Sequence, residues 1–159
     1  MNLDTILVPT DFSSPADAAL RYAVELASRV GSKVIVLHAF VPSVLPILDG
    51  AIIPTASELA EEVSIAEKRL AELAVRFART GMVLETKAVQ GAAVEEILRV
   101  TQAQACDLIV MGTHGRTGLA RIALGSVAER VVRAAPVPVL TIRTKSEPVA
   151  SLFESPPLL

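Results

Sequence analysis

Cysteine is almost absent from this chain of 159 residues. Cys106 is the only one, so no disulfide can form within the chain. A lone thiol fits a reducing compartment, and a cytoplasmic location is expected. Tryptophan is missing altogether, and aromatic residues make up only 3% of the sequence. Whatever core forms must therefore be aliphatic. Charge bias is also missing: the formal net charge is -2. A near-neutral, slightly acidic chain lacks the broad basic surface that bulk binding to nucleic acid or to an anionic membrane requires. No segment reaches the roughly 18 uninterrupted apolar residues of a membrane-spanning helix. The opening "MNLDTILVPTDF" has no basic stretch ahead of its apolar run and carries Asp4 and Asp11 around it, so it does not read as a signal peptide.

The two best-known phosphate motifs are lacking too. No G-x-x-x-x-G-K-[ST] occurs, and no G-x-G-x-x-G follows the first apolar run. Neither a P-loop NTPase nor a nicotinamide dehydrogenase is supported.

What the chain does have is aliphatic bulk. Hydrophobic residues are 52% of it, mostly Val, Leu, Ile and Ala. That composition suits a buried parallel sheet covered by Ala- and Leu-rich helices. Thr5 to Phe12 is a short β-forming run interrupted by Pro9 and reads as a buried strand. Ser13 or Ser14 supplies an N-cap, with Pro15 in the first turn of a helix that Gly31 stops. Ala19, Tyr22, Ala23, Leu26 and Val30 recur at helical spacing and are expected inside. Lys33 to Phe40 is a second buried strand, which completes a β-α-β unit with a right-handed crossover.

The stretch that follows, from Val41 to Pro54, holds three prolines and Gly50 and reads as a long loop without regular structure. A long helix over about Ala56 to Thr80 carries a stripe of Leu59, Val63, Ala66, Leu70, Leu73 and Phe77. Met82 to Val89 alternates and carries Glu85 and Lys87, the pattern of a peripheral strand. A helix over 92–104 with Val94, Ile97, Leu98 and Thr101 facing inward, a buried strand over 106–112, a helix over 126–135 and a last strand over 137–143 complete the order. Pro136 and Pro138 remove ladder donors and place that last strand at an edge. The expected architecture is one α/β domain over 1–143 with a mostly parallel sheet, followed by a disordered or loosely attached tail over 144–159.

In such sheets ligands bind beyond the carboxyl ends of the strands, where the strand order reverses. The first strand ends on Pro9, Thr10 and Asp11. The fourth ends on Gly112, and the loop behind it reads "GTHGRTGLARIALGS". It contains Gly115, Gly118, His114, Arg116 and Arg121 and no carboxylate. Gly125 and Ser126 then open a helix, whose free N–H groups and positive end suit a phosphate. Each residue also has a simpler role open to it. Asp11 serves equally to hold a turn or cap a helix, and Ser126 to cap its own helix. Arg116 and Arg121 fit solvated charges or phosphate contacts. His114 fits a residue near phosphate better than a general base, since no carboxylate or nucleophile accompanies it in sequence. His38 reads as a core or strand-end histidine, and Cys106 as a small buried apolar group.

The spacing Gly112-x2-Gly115-x9-Gly125-Ser126 matches the G-x2-G-x9-G-[ST] nucleotide motif of the universal stress protein family. "ILVPTDFSSPADAALRYA" resembles that family's opening strand and helix. "ACDLIVMGTHGRTG" and "LGSVAERVVRAAPVPVLTIR" resemble its fourth and fifth strands with the helix between them. The likeness covers about Leu3 to Arg143 and points to the branch that binds ATP. It implies a Rossmann-like open parallel sheet of five strands, order 3-2-1-4-5, with helices on both faces. It implies a homodimer through the last strand, Val137 to Arg143. By the same likeness Pro9, Thr10 and Asp11 lie along the adenosine end of the ligand. Ala39, Phe40 or Val41 gives backbone contacts to adenine, and Met111 and Gly112 sit at the ribose. Gly115, Gly125, Ser126 and Val127 cradle the phosphates, which carry any Mg or Mn.

The expected function is that of a stress-response regulator holding ATP, or AMP, ADP or cyclic AMP, with little or no hydrolysis. No nucleic acid and no membrane is expected as partner. Two alternatives remain open: a slow ATPase or phosphotransferase working through His114, and a nucleotide-independent, chaperone-like protein using the Val41 to Pro54 loop and the tail as its contact surface.

Overall fold

The structure is a computed structural model, and it describes residues 3–42, 45–47, 50–52, 54–79, 81–113 and 124–143. The tail over 144–159 and the loop residues His114, Gly115, Arg116, Gly118 and Arg121 lie outside the described residues.

Five parallel strands form the main sheet: β1 (Thr5–Pro9), β2 (Lys33–Phe40), β5 (Leu84–Gln90), β6 (Leu108–Gly112) and β7 (Val139–Ile142). Their order is β5-β2-β1-β6-β7, all neighbours parallel. Counted along the main sheet alone, this is 3-2-1-4-5, as expected. The register between β1 and β2 runs from Thr5↔Lys33 to Pro9↔Leu37.

Alternate residues of the central strands face opposite layers. Ile6, Val8, Val34, Val36 and Val110 pack under α1 (Ser14–Val30) and α2 (Ala56–Phe77). Leu7, Ile35, Leu37, Ile109 and Met111 pack under α3 (Ala93–Ala103) and α4 (Ser126–Ala134). A strand covered on both faces has no polar side to show, which is why these runs are continuously apolar.

The helix signals are local. Ser13 caps α1 by accepting a hydrogen bond from the Ala16 N–H, at 3.4 Å. Gly31 ends α1 at φ 81, a left-handed conformation that glycine adopts without a Cβ penalty. Thr55 and Glu58 form a reciprocal capping box at the start of α2. That helix stops at Phe77, short of the expected Thr80. Its buried stripe is Ala66, Leu70, Leu73 and Phe77, while Leu59 and Val63 are only half-buried.

Three expectations need correction. Tyr22 and Val30 are 48% and 53% exposed, because α1 turns Leu20, Val24 and Ala27 toward the sheet instead. The Val41 to Pro54 stretch is not without regular structure. It contains an antiparallel pair, β3 (Leu45–Ile47) and β4 (Gly50–Ile52), in which Pro46 lies opposite Ala51. A two-stranded ribbon has an open edge on each strand, so a proline nitrogen needs no ladder partner there. Finally, α3 buries Val100 rather than Leu98, which is half-buried.

Candidate functional site

β1 lies between β2 and β6, so the chain connections diverge at the carboxyl ends of β1 and β6. A cleft of about 330 Å³ opens there. Its floor is Pro9, Thr10, Met111 and Gly112, and Asp11 stands beside them. Ala39 lines it from β2, and Gly125, Ser126 and Val127 from the start of α4. The structure thus brings together residues separated by more than 100 positions in the chain.

Phe40 and Val41 do not line this cleft. They face a separate groove on the α1 and α2 side, with Phe12, His38 and Arg69. The cause is strand alternation, which turns Ala39 to one side of the sheet and His38 and Phe40 to the other. The Phe40 carbonyl accepts a hydrogen bond from the Gly91 N–H, at 2.8 Å.

The sequence reading missed several lining residues. Leu37 shares a face with Ala39 by the period of two, a signal that was present. Ala93 and Ile97 of α3, Ala16 of α1 and Thr113 also line the cleft. For the helix residues only packing decides which face meets the cleft, so no local signal marks them. Leu37 and Ala39 of β2 with Ala93 and Ile97 of α3 make this part of the cleft apolar. Such a lining accepts an apolar ring by burial.

The opposite end is built from backbone. The Gly125 N–H donates to the Thr113 carbonyl at 2.7 Å, and the Thr113 N–H donates to Ile142 of β7 at 3.1 Å. These bonds pin the strand end to the helix start. Gly125, not Ser126, is the N-cap of α4, with no side-chain cap bond. Ser126 is the first residue of the helix proper, so the capping role open to it in sequence falls to Gly125. The first N–H groups of a helix have no partner within it, and they carry the positive end of the helix dipole. Here they open on the cleft.

The turn after β1 is tightly specified. The Thr10 N–H donates to Leu37 O at 2.8 Å, and the Phe12 N–H to Thr10 Oγ1 at 3.0 Å. Asp11 Oδ1 accepts from the Ser13 N–H at 3.1 Å and from the Ser13 hydroxyl at 2.5 Å. Asp11 therefore does hold a turn, as one of its two readings had it, while also lining the cleft. Phe12 sits at φ 63, left-handed and unusual for a bulky side chain. Left-handed backbone costs an L-residue roughly 1–2 kcal/mol, so surrounding bonds must hold it.

Gly112 also carries a packing duty. A Cβ there would stand 2.9 Å from the carbonyl carbon and oxygen of Pro15. The space freed by this glycine is filled by the first turn of α1. Gly112 borders the cleft, yet its missing side chain is explained by strand–helix approach alone.

Among the described residues, no group of three or more His, Cys, Asp or Glu side chains is arranged to hold a metal, and no helix is long and apolar enough to cross a membrane.

Comparison with known proteins agrees with this architecture. The universal stress protein family model matches residues 2–143. The universal stress protein MJ0531 of Methanocaldococcus jannaschii is 34% identical over 142 residues, covering 87% of this chain and 81% of that one. The solved structure of MJ0577, described as a structure-based assignment of biochemical function, superposes with a TM-score of 0.75 at 27% identity, over 92% of this chain and 99% of that one. A universal stress protein in complex with cAMP gives a TM-score of 0.64 at 25% identity, over 90% and 98%. The universal stress protein of Archaeoglobus fulgidus in complex with dAMP gives 0.62 at 25% identity, over 89% and 99%. The sheet order, the cleft at its switch point and a family match spanning nearly the whole described fold lead to one conclusion: this chain belongs to the universal stress protein family.

Proposed function

We propose that this protein is a stress-response regulator whose cleft holds an adenine nucleotide, ATP foremost, and turns it over slowly or not at all. The observation that carries the reading is the switch-point cleft itself. It combines an apolar slot beside Ala39 with a helix start at Gly125 and Ser126 that no side chain caps among the described residues. At about 330 Å³ it lies at the lower end of the volumes that small-molecule sites occupy, about 300–1,000 Å³. Relatives solved with cAMP and dAMP favour the adenine class.

In this reading the base lies against Ala39 and Leu37, and the ribose against Met111 and Gly112. The Ser126 and Val127 N–H groups and the Ser126 hydroxyl meet phosphate oxygens. His114, Gly115 and Arg116 join the phosphate end on the strength of the sequence motif. Phosphate-bound Mg or Mn would supply charge neutralisation, held by the nucleotide and not by a protein cage. Slow turnover follows from the sequence, which has no P-loop lysine motif and, between Asp107 and Glu129, no carboxylate to hold a metal or activate a nucleophile. Efficient phosphoryl transfer relies on such groups. The protein acts as a homodimer through the open edge of β7.

Calorimetric titration with ATP, ADP, AMP and cyclic AMP tests this. Saturable binding is expected, and Ser126→Ala should weaken ATP binding roughly ten- to a hundredfold, the value of one hydrogen bond to a charged group. No heat of binding for any of the four at millimolar concentration would overturn the reading. So would ATP turnover at the 1–100 per second that is typical of kinases.

A further inference from the structure

Thr10 and Asp11 face the cleft on one side of the sheet, and the residue that follows them does not. Phe12 passes to the opposite side and packs against the α1 and α2 layer. There its ring meets the His38 ring at 4.4 Å between centroids, tilted by 48°. The Arg69 guanidinium lies over the same ring, 4.0 Å from its centroid. His38 Nδ1 stands 2.8 Å from the Thr10 carbonyl. A carbonyl oxygen only accepts, so Nδ1 carries the proton and His38 is the donor, whether the ring is neutral or charged.

The geometry points to His38 as a positioning residue for nucleotide binding, acting from the face of the sheet opposite the cleft. Its hydrogen bond to Thr10, together with the contacts of the Phe12 ring to His38 and Arg69, holds the Thr10–Ser13 turn in the left-handed conformation that presents Asp11 to the cleft. The inference rests on the nucleotide reading of that cleft.

Three features support it. Phe12 at φ 63 is not where a phenylalanine settles by itself, so the turn needs a hold from outside. The bonds inside the turn, Phe12 N–H to Thr10 Oγ1 and Ser13 N–H to Asp11 Oδ1, bind neighbours to one another and do not anchor the turn to the sheet. The anchors come from β2: Leu37 O accepts the Thr10 N–H, and His38 donates to the Thr10 carbonyl. Any residue at position 37 supplies the first of these through its backbone. Only a side-chain donor supplies the second.

The test uses the whole chain and two substitutions at one position. His38→Leu keeps the bulk and removes the donor. His38→Asn places an amide nitrogen close to where Nδ1 stood and restores it. Amide hydrogen exchange of Phe12 and Ser13 is measured without nucleotide, against the core amides of Leu7 and Ile35, and ATP affinity is measured by calorimetry. In His38→Leu, exchange at Phe12 and Ser13 should rise roughly tenfold beyond any change in the core, and ATP affinity should fall roughly fivefold, as loss of one hydrogen bond implies. His38→Asn should stay near wild type in both.

Should His38→Leu fail to fold, Arg69→Met at an exposed position takes its place, with a smaller acceleration at the same two amides. Exchange that merely follows the core would overturn the inference. Faster exchange with unchanged ATP affinity would also overturn it. A wild-type protein that binds none of the four nucleotides would instead overturn the reading of the cleft, and it would remove nucleotide binding as what His38 serves.

Discussion

Burial pushes the Cys106 thiol up to about 11 from its ordinary 9.0; Lys33 nearby works against that shift, and Asp107 adds to it. The residue is 4% exposed and packs with Ile97 and Ile109, as a small apolar side chain would. The consequence for stability has a definite sign. An unfolded chain releases the thiol proton near pH 9, while the folded chain keeps it until about 11. The contribution is therefore complete below pH 9 and is lost as pH rises toward 11. Between pH 8 and pH 10.5 the wild type should lose about 2 kcal/mol more than Cys106→Ala, measured by urea unfolding at both values. Equal losses in the two proteins would show that burial does not shift this thiol. Single residues were read from sequence with mixed success. Cys106 as a buried apolar group and Asp11 as a turn residue were legible from type and position. Tyr22 and Val30 were misread, since helical spacing marks a stripe but not which of two adjacent stripes meets the sheet.

Gly112 shows how far an element-level reason differs from a motif. In the sequence it is the first glycine of a nucleotide signature. In the fold it lets β6 approach the first turn of α1 at Pro15. Gly112→Ala forces the two elements apart, and overpacking of this kind costs about 1–3 kcal/mol. The expected result is a lower urea midpoint in the absence of any nucleotide, together with weaker ATP binding, because α1 carries Ser13 and the turn that holds Asp11. Unchanged stability would mean that α1 moves aside freely. The start of α1 was legible because capping is a matter of three or four neighbouring residues, Ser13 to Ala16; the Thr55–Glu58 box of α2 went unread, and the cap of α4 fell to Gly125. The β3 and β4 pair was not legible, because proline and glycine content argues against an internal strand and says little about an isolated ribbon.

The two edges of the main sheet differ in chemistry. β5 carries Glu85 and Lys87, and Glu85 pairs with Lys33 at 3.5 Å. Charges on an edge strand discourage pairing with another chain. β7 reads Val-Leu-Thr-Ile, without a charge. The Pro138 carbonyl just before it and its Ile142 carbonyl accept from Ile109 and Thr113, so by alternation the N–H groups of Val139 and Thr141 point away from β6. The proposed homodimer uses that side. Thr141→Pro removes one outward donor and spares the ladder to β6, and sedimentation velocity should show a dimer becoming a monomer. A dimer that persists would place the interface elsewhere.

Strand and helix order, the Ser13 cap and the glycine spacing could all be read without coordinates, because each depends on residues close in the chain or on a regular period. The fold family followed from them. Other features depend on residues far apart in sequence: Gly112 against Pro15, Thr113 against Gly125, His38 against Thr10. Their pairing is settled by how the sheet and its two helical layers pack. No periodicity of a single segment encodes such a meeting, and it is these meetings that turn an apolar strand end into a cleft.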